Sequence, residues 1–149
     1  MANLLATTLL GKTGFLRQID LGGVQELLVT PQNGTLVALK FAKQTLAATA
    51  VVDITADRLN FSNLEPYQSE TVKLLGLKVY TETGSLLGLV GDVCWNAPTL
   101  TLQTITVMDS QQRTSRVIAS RQIVEITSNA VIVTADEALS LNLATVPAA

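Results

Sequence analysis

The chain has 149 residues, of which 48% are hydrophobic and 15% are charged, and it carries a net charge of −2 at an isoelectric point of about 5.0. This length suits one ordinary domain or two very small ones, and the apolar fraction supplies core material for either. The scarcity of basic residues disfavours direct nucleic-acid binding, and the absence of histidine removes the commonest general base and metal ligand.

Residues 1–70 are predicted to form short strands separated by turns. The predicted strands are Phe15–Asp20, Val24–Thr30, Thr35–Ala42 and Ala50–Ile54. Asn33-Gly34 is the strongest hairpin signal in the chain, because both residue types accept the positive φ angles of a tight turn. The segment SNLEPYQSE, residues 62–70, contains a proline and a polar run and is predicted to join the two halves.

Residues 71–149 are also predicted to form short strands separated by turns. The predicted strands are Lys78–Thr81, Leu86–Trp95, Leu100–Met108, Ser115–Ala119 and Ala130–Thr134. LTLQTITV, residues 100–107, alternates apolar and polar side chains as a half-buried strand does. A helix is predicted only near the end, in TADEALSLNL, where Thr134 and Glu137 have the spacing of a capping box.

One group of basic residues stands out from the scattered remainder. Arg113, Arg116 and Arg121 surround a predicted loop and strand. We interpret them as a solvated edge rather than a nucleic-acid site, because no basic stripe extends beyond them.

Nothing in the sequence predicts secretion or membrane insertion. The single cysteine, Cys94, cannot form an intramolecular disulfide. The start, MANLLATTLLGK, lacks a basic n-region, and no run of ~18 apolar residues occurs. We therefore expect a cytoplasmic protein, including one that rests at the periphery of a membrane complex.

The sequence contains an internal repeat. TTLLGKTGF, from Thr7, is similar to VKLLGLKVY, from Val72, and GGVQELLVTPQNGTLVALKFA is similar to GLVGDVCWNAPTLTLQTITVM. A single offset aligns Gly22 with Gly88, Val24 with Val90, Glu26 with Asp92 and Val51 with Val117. This pattern predicts a tandem repeat of one small β unit, and we expect a fragment of residues 71–149 to fold alone and to self-associate.

Glycines mark the bends of the second half. Gly84 follows Glu82-Thr83, where a tight turn needs a residue that accepts positive φ. Gly88 lies inside a predicted strand, where glycine marks a bend or a close backbone approach. Short, strongly curved strands allow a small sheet to close into a barrel.

The segment LLGLKVYTETGSLLGLVGDV, residues 74–93, resembles the opening pattern of the PRC-barrel family. SRVIASRQIVEITSNAVIV, residues 115–133, is similar to the closing strand pair of that family. The first half keeps LLGK and GGVQELLV without a glycine equivalent to Gly84, so it resembles a degenerate copy.

The resemblance implies a mainly all-β fold of two PRC-barrel-like β-barrels in tandem, with a short C-terminal helix. The implied division is a first domain at 1–64, a linker at 65–73, and a second domain with the C-terminal tail at 74–149. The residues expected to define the fold are Gly11, Gly76, Gly84, Gly88, Asp92 and Glu26. We expect Glu26 and Asp92 each to cap a turn or accept backbone hydrogen bonds within its own barrel, rather than to act as an acid–base pair.

No residue pattern indicates catalysis. A Ser-His-Asp triad requires histidine, and GKTG, residues 11–14, lacks the spacing of a phosphate loop. Cys94 lies in the apolar run VCW, which predicts a buried structural thiol. We therefore expect a protein that is not an enzyme and that has no cofactor and no metal site.

Trp95 and Tyr80 are the candidate contacts with a partner. Trp95 shares a strand face with Val93, so a core position is the favoured interpretation. The alternative is an exposed aromatic anchor of the kind that dominates many interfaces, which Tyr80 on the preceding strand would extend.

The resemblance implies a non-enzymatic scaffold or assembly module that binds a partner protein, because PRC-barrel domains serve as docking units in photosynthesis and in ribosome maturation. A photosynthetic or other membrane-associated complex is favoured, since the acidic isoelectric point disfavours a direct RNA role. The alternatives are a ribosome-maturation adaptor that acts through a ribosomal protein, and a regulatory domain that binds a small ligand in the cleft between the barrels. A homo-oligomer would also cover apolar surface.

Overall fold

Short strands form almost all of the regular structure. The computed structural model describes residues 3–97, 99–111 and 113–134. The strands in this part of the chain are β1 Asn3–Leu5, β2 Thr13–Leu16, β3 Ile19–Gly23, β4 Glu26–Val29, β5 Leu36–Lys40, β6 Thr45–Ala47, β7 Val51–Ile54, β8 Arg58–Phe61, β9 Val72–Lys73, β10 Lys78–Thr81, β11 Leu86–Asn96, β12 Thr101–Met108, β13 Thr114–Ala119, β14 Ile123–Ile126 and β15 Ala130–Val133. One helix, α1 Ala6–Leu9, and two 3-10 turns, Ala48–Ala50 and Ser120–Gln122, complete them. The all-β prediction is confirmed, and the helix predicted after Thr134 lies outside the described residues.

The two halves of the chain share one strand topology. We call β2–β8 the first repeat and β10–β15 the second repeat. In the first, β2 pairs with β3 and, in parallel, with β8; in the second, β10 pairs with β11 and, in parallel, with β15. The remaining equivalences are β3 and β4 with β11, β5 with β12, β6 with β13 and β7 with β14. Residues far apart in the chain therefore occupy the same place in two copies of one unit.

The alignment offset between the repeats changes within the hairpin that follows β5 and β12. Lys40 pairs with Thr45, five positions later, whereas Thr106 pairs with Val117, eleven positions later. The second repeat thus has a longer hairpin, and the offset grows from 66 to 72. Val117 corresponds to Thr45, so the alignment of Val51 with Val117 predicted from the sequence is wrong; Val51 corresponds to the first residue of β14.

The strand that precedes each repeat pairs with the other repeat. β1, which precedes the first repeat, pairs with the end of β11, with Leu5 opposite Cys94. β9, which precedes the second repeat, pairs with the end of β4, with Lys73 opposite Leu28. Leu28 and Cys94 are equivalent positions, so the exchange is reciprocal. The division of the chain into two domains stays a prediction.

The strand predicted at Phe15–Asp20 is instead a hairpin. β2 ends at Leu16 and β3 begins at Ile19. Arg17 makes the turn with a φ of 57°, a region that residues with a side chain rarely enter. The second repeat turns at the same place with Gly84 at a φ of 95°, and the missing glycine hid the first turn from the sequence.

One hydrophobic core spans both repeats. Its most deeply buried large side chains include Phe41 and Leu59 from the first repeat and Trp95, Ile105 and Val131 from the second. Because these residues form a single cluster, each repeat completes its core against the other.

Candidate binding site

Two clefts lie between the repeats at equivalent places. In one, Ala97 and Leu100 from the β11–β12 loop come together with the turn Ala48–Ala50 and with β7. In the other, residues of the β4–β5 loop come together with the turn Ser120–Gln122 and with β14. Their volumes are about 660 Å³ and about 370 Å³. We call them the apolar cleft and the polar cleft, after their side chains.

The apolar cleft is lined mainly by aliphatic side chains. Six leucines line it, namely Leu4, Leu9, Leu36, Leu39, Leu59 and Leu100, together with smaller aliphatic residues. Asp53 is the one charged lining residue, and its Oδ2 accepts a hydrogen bond from Asn60 Nδ2 at 3.3 Å. A concave, open aliphatic surface with so few polar groups favours an apolar occupant.

The rim of the apolar cleft carries exposed apolar side chains. Val52 and Ile54 on β7 line the cleft, yet 66% and 38% of their surfaces are accessible. β7 is an edge strand of its sheet, and the register shifts at Val52, which is a β-bulge. The cleft therefore continues outward as an apolar surface along an open strand edge.

The polar cleft uses the same backbone frame with different chemistry. Its lining includes Gln32, Asn33, Thr35, Ser120, Arg121 and Glu125. Val124, the residue equivalent to Val52, lies at a matching bulge and is 53% exposed. Since one fold produces both clefts, the backbone alone does not dictate an apolar lining.

Leu100 is held in an unfavourable backbone conformation at the apolar cleft. Its φ is 62°, whereas the equivalent position in the first repeat is Gly34, with a φ of 74°. A left-handed conformation costs a residue with a side chain roughly 1–2 kcal/mol. The Leu100 carbonyl accepts a hydrogen bond from the Leu36 N–H at 3.0 Å, which helps to hold it there. Strain of this kind is concentrated at functional sites.

Trp95 occupies the core. Only 1% of its surface is accessible, and its indole Nε1–H donates a hydrogen bond to the Gly34 carbonyl at 3.0 Å. The bond joins residues 61 positions apart, in different repeats. Trp95 thus takes the core position that the alternation favoured and is not available as an exposed anchor.

Tyr80 is partly buried on β10, beside Leu86 of β11 and Ile132 of β15. Neighbouring Val79 is fully buried, so alternation places Tyr80 on the opposite face of its strand. The structure therefore does not combine Tyr80 and Trp95 into one surface patch.

Asp92 accepts hydrogen bonds as expected, but chiefly from the other half of the molecule. Its carboxylate bonds the N–H and the hydroxyl of Thr7, and also the N–H of Val93. Glu26, at the equivalent position, lies opposite Lys40 on β5, and its carboxylate makes no hydrogen bond or salt bridge with the described residues. The expectation that each carboxylate accepts hydrogen bonds inside its own barrel is therefore wrong for the two bonds that Asp92 accepts from Thr7.

The glycines expected to define the fold all take positive φ angles. Gly11 and Gly76 have φ values of 85° and 87°, and their N–H groups donate to the equivalent carbonyls of Val24 and Val90. A Cβ atom on Gly88 would lie 2.2 Å from the Met108 carbonyl oxygen, which excludes any side chain there.

Cys94 is partly buried rather than fully buried. Burial raises the pKa of its thiol, the nearby charge of Asp92 raises it further, and a hydrogen bond with Thr104 opposes both effects. A raised pKa disfavours the reactive thiolate at neutral pH.

Within the described residues, no group of three or more acidic or cysteine side chains is placed to hold a metal ion. In the same part of the chain, no helix is both long and apolar enough to cross a membrane.

No family model matches this chain. No curated protein is significantly similar to it. The resemblance to the PRC-barrel family stays a prediction.

Sequence reasoning missed Val52, Ile54 and Leu100 as candidate binding residues. Val52 and Val124 would have indicated a binding site only if they had been aligned with each other. That alignment needs an offset of 72 residues, whereas the sequence suggested an offset of 66. Leu100 gives no signal, because leucine is typical of a strand and its φ depends on the loop.

Proposed function

We propose that the chain is a non-enzymatic docking module that binds an apolar segment of a partner protein in the apolar cleft. The observation that supports this best is the continuity of the cleft with the exposed side chains of Val52 and Ile54. A protein segment that fills the cleft would also cover these two exposed residues. A small molecule could cover the leucines inside the cleft but would leave the rim exposed.

The energetics fit a specific but moderate interaction. Complete burial of an aliphatic side chain contributes about 1.5–3 kcal/mol. Val52 and Ile54 are already partly covered, so together they would contribute less than twice that value. The leucines inside the cleft would add contacts, and ordering the partner segment would cost part of the gain.

The setting of the partner follows from the sequence resemblance alone. PRC-barrel domains dock in photosynthetic and ribosome-maturation settings, and the acidic isoelectric point of this chain favours a photosynthetic or other membrane-associated complex over RNA. An assembly or scaffold role at the periphery of such a complex is the proposal. An adaptor that reaches the ribosome through a ribosomal protein is the alternative setting.

A small apolar ligand in the same cleft is the second candidate function. The volume of about 660 Å³ lies within the roughly 300–1,000 Å³ typical of ligand sites. The two candidates differ at the rim. A small molecule inside the cleft would contact Leu36, Leu39 and Leu59. Its affinity would depend little on the exposed end of Val52.

The test is affinity purification of the tagged protein from its native cells, from soluble and membrane fractions, with and without nuclease. The Val52→Asp variant places a charge on the rim of the apolar cleft. The matched control, Val124→Asp, places the same charge at the equivalent exposed bulge of the polar cleft. Both positions are exposed, so neither substitution should disturb the core.

The proposal expects nuclease-resistant recovery of subunits of one complex, lost with Val52→Asp and kept with Val124→Asp. Equal recovery with both variants would exclude this docking face. Recovery of ribosomal material that nuclease removes would overturn the membrane-complex setting. A thermal shift with apolar metabolites that persists in Val52→Asp would favour the small-ligand function.

A further inference from the structure

The first repeat covers one of its own strand edges with an extended segment of the chain. β6 is the last strand of its sheet. The N–H of Ala47 donates to the Glu65 carbonyl at 2.9 Å, and the N–H of Tyr67 donates to the Thr45 carbonyl at 3.1 Å. Leu46 and Pro66 face each other between these bonds. This edge therefore accepts an antiparallel, proline-containing peptide.

The equivalent edge in the second repeat is β13, also the last strand of its sheet. Val117 and Ala119 correspond to Thr45 and Ala47, so their backbone groups point outward in the same way. Among the residues that the structure describes, no segment pairs with this outer edge. The N–H of Ala119 instead donates to the side-chain Oε1 of Gln122 at 3.0 Å.

Gln122 takes the place of a strand partner. It is 4% exposed and is the one buried polar side chain of the described chain. The equivalent residue in the first repeat, where the edge is covered, is Ala50. An edge that stays covered needs no such side chain. An edge that is filled reversibly gains from a substitute acceptor while it is empty, because leaving a partly buried N–H without a partner lowers stability.

Charge indicates what the β13 edge accepts. Arg113 precedes β13 and Arg121 follows it, and both side chains are exposed. Arg113 also forms a salt bridge with Asp109, with 3.7 Å between Arg113 Nε and Asp109 Oδ2. The segment that covers the matching edge of the first repeat contains Glu65 and is followed by Glu70. An extended segment with acidic residues would complement the arginines at both ends.

We propose that the β13 edge binds an extended, acidic segment of a partner protein by strand addition. A backbone carbonyl of that segment replaces Gln122 Oε1 on the N–H of Ala119, and a backbone N–H of the segment donates to the Val117 carbonyl. This inference rests on the proposed docking function and gives the partner a second point of attachment, distinct from the apolar cleft.

The probe is a blocked peptide of residues 62–70, SNLEPYQSE, added to the intact protein. Amide NMR shifts locate the site, and titration gives the affinity. We expect shifts at Val117 and Ala119, and binding that weakens with salt. Gln122→Ala introduces the residue of the first repeat and should tighten binding several-fold, since the competing acceptor is gone.

Two further variants separate strand addition from nonspecific attraction. Ala119→Pro removes the N–H that the carbonyl of the segment would bind, at a φ of −73° that proline can adopt, and should weaken binding at least about tenfold. Ala47→Pro, at the equivalent place on the covered edge, is the matched control and should leave the shifts at β13 and the affinity unchanged. Arg121→Glu tests the charge without altering the strand.

Several results would overturn the inference. Shifts outside β13, or equal binding of a peptide with Glu65→Lys and Glu70→Lys, would exclude acidic strand addition. Tighter binding by a chain with Asp136→Lys and Glu137→Lys would mean that its own acidic residues compete for the edge, which excludes a partner as the normal occupant. Val52→Asp should not change peptide binding, so failure here and failure of the docking proposal are distinguishable.

Discussion

Asp92 and Thr7, 85 positions apart in the chain, are joined by two hydrogen bonds. Asp92 Oδ1 accepts the Thr7 N–H at 3.1 Å, and Asp92 Oδ2 accepts the Thr7 hydroxyl at 2.8 Å. Thr7 lies in α1, directly after β1, the strand that pairs with β11 of the second repeat. The Asp92 carboxylate therefore holds the chain in place where the pairing of β1 with β11 ends.

Replacing Asp92 with alanine should destabilise the protein by about 1–3 kcal/mol, because the Thr7 and Val93 groups lose their acceptor. Glu26→Ala is the matched control at the equivalent position and should change stability by no more than about 0.5 kcal/mol. Urea unfolding measures both. Equal losses would contradict the importance of the Thr7 contact.

Gly88 and Gly84 should respond differently to alanine. At Gly88 the new Cβ would meet the Met108 carbonyl oxygen at 2.2 Å, so the strands must separate, at a cost of about 3 kcal/mol or more. At Gly84 the Cβ would point into open space, and only the φ of 95° opposes it, at about 1–2 kcal/mol. Thermal unfolding ranks the two variants. A Gly88→Ala protein as stable as Gly84→Ala would refute the close approach.

Leu100→Gly should separate stability from binding. Glycine relieves roughly 1–2 kcal/mol of backbone strain, while loss of the partly buried side chain removes a similar amount of apolar burial. We expect a net stability change within about 1 kcal/mol. Partner recovery should nevertheless fall, because Leu100 lines the apolar cleft. Undiminished recovery would show that the side chain is not part of the interface.

The thiol of Cys94 should react slowly with iodoacetamide at neutral pH. Burial and the Asp92 charge both raise its pKa, so the rate should increase only above the pH at which an ordinary thiol ionises. Asp92→Asn removes the second cause and should move the rate profile to lower pH. The free thiol of a denatured sample provides the reference. An unchanged profile in the variant would show that Asp92 does not act on the thiol.

The fragment of residues 71–149 should self-associate in a defined way. Alone, it lacks β1 for the end of β11 and lacks β4 for its own β9. Two copies can supply each other, with β9 of one paired to β11 of the next as β9 pairs with β4 in the intact chain. We expect light scattering to give a dimer, with the single tryptophan buried. A folded monomer would contradict the need for exchange.

Local signals in the sequence predicted much of the fold. Asn33-Gly34 correctly placed the β4–β5 connection, and the alternation in residues 100–107 predicted β12. The hairpin at Arg17 was missed because its turn uses strain in place of glycine. The change of offset was missed because no residue marks the longer hairpin after β12.

The candidate site was less accessible to sequence reasoning. A cleft between the repeats was expected in general terms, yet its lining depends on how the repeats pack, and periodicity within one strand carries no such information. The exchange of β1 and β9 is equally hidden, since pairing partners that are far apart in the chain, such as Leu5 with Cys94 and Leu28 with Lys73, leave no local pattern. Trp95 was more accessible to sequence reasoning, because the alternation with Val93 already favoured a core position, which the structure confirms with 1% exposure.

The reciprocal strand exchange has a consequence for synthesis on the ribosome. Residues 3–5 are translated well before the strand with which they pair, which ends at Asn96. At about 5–20 residues per second, translation separates the two by roughly 5–20 s. Until residue 73 has been translated, the first repeat also lacks β9, so a nascent chain exposes apolar strands that a finished chain conceals. The last residues of β11 to be translated are thus the ones that allow residues 3–5 to take their place.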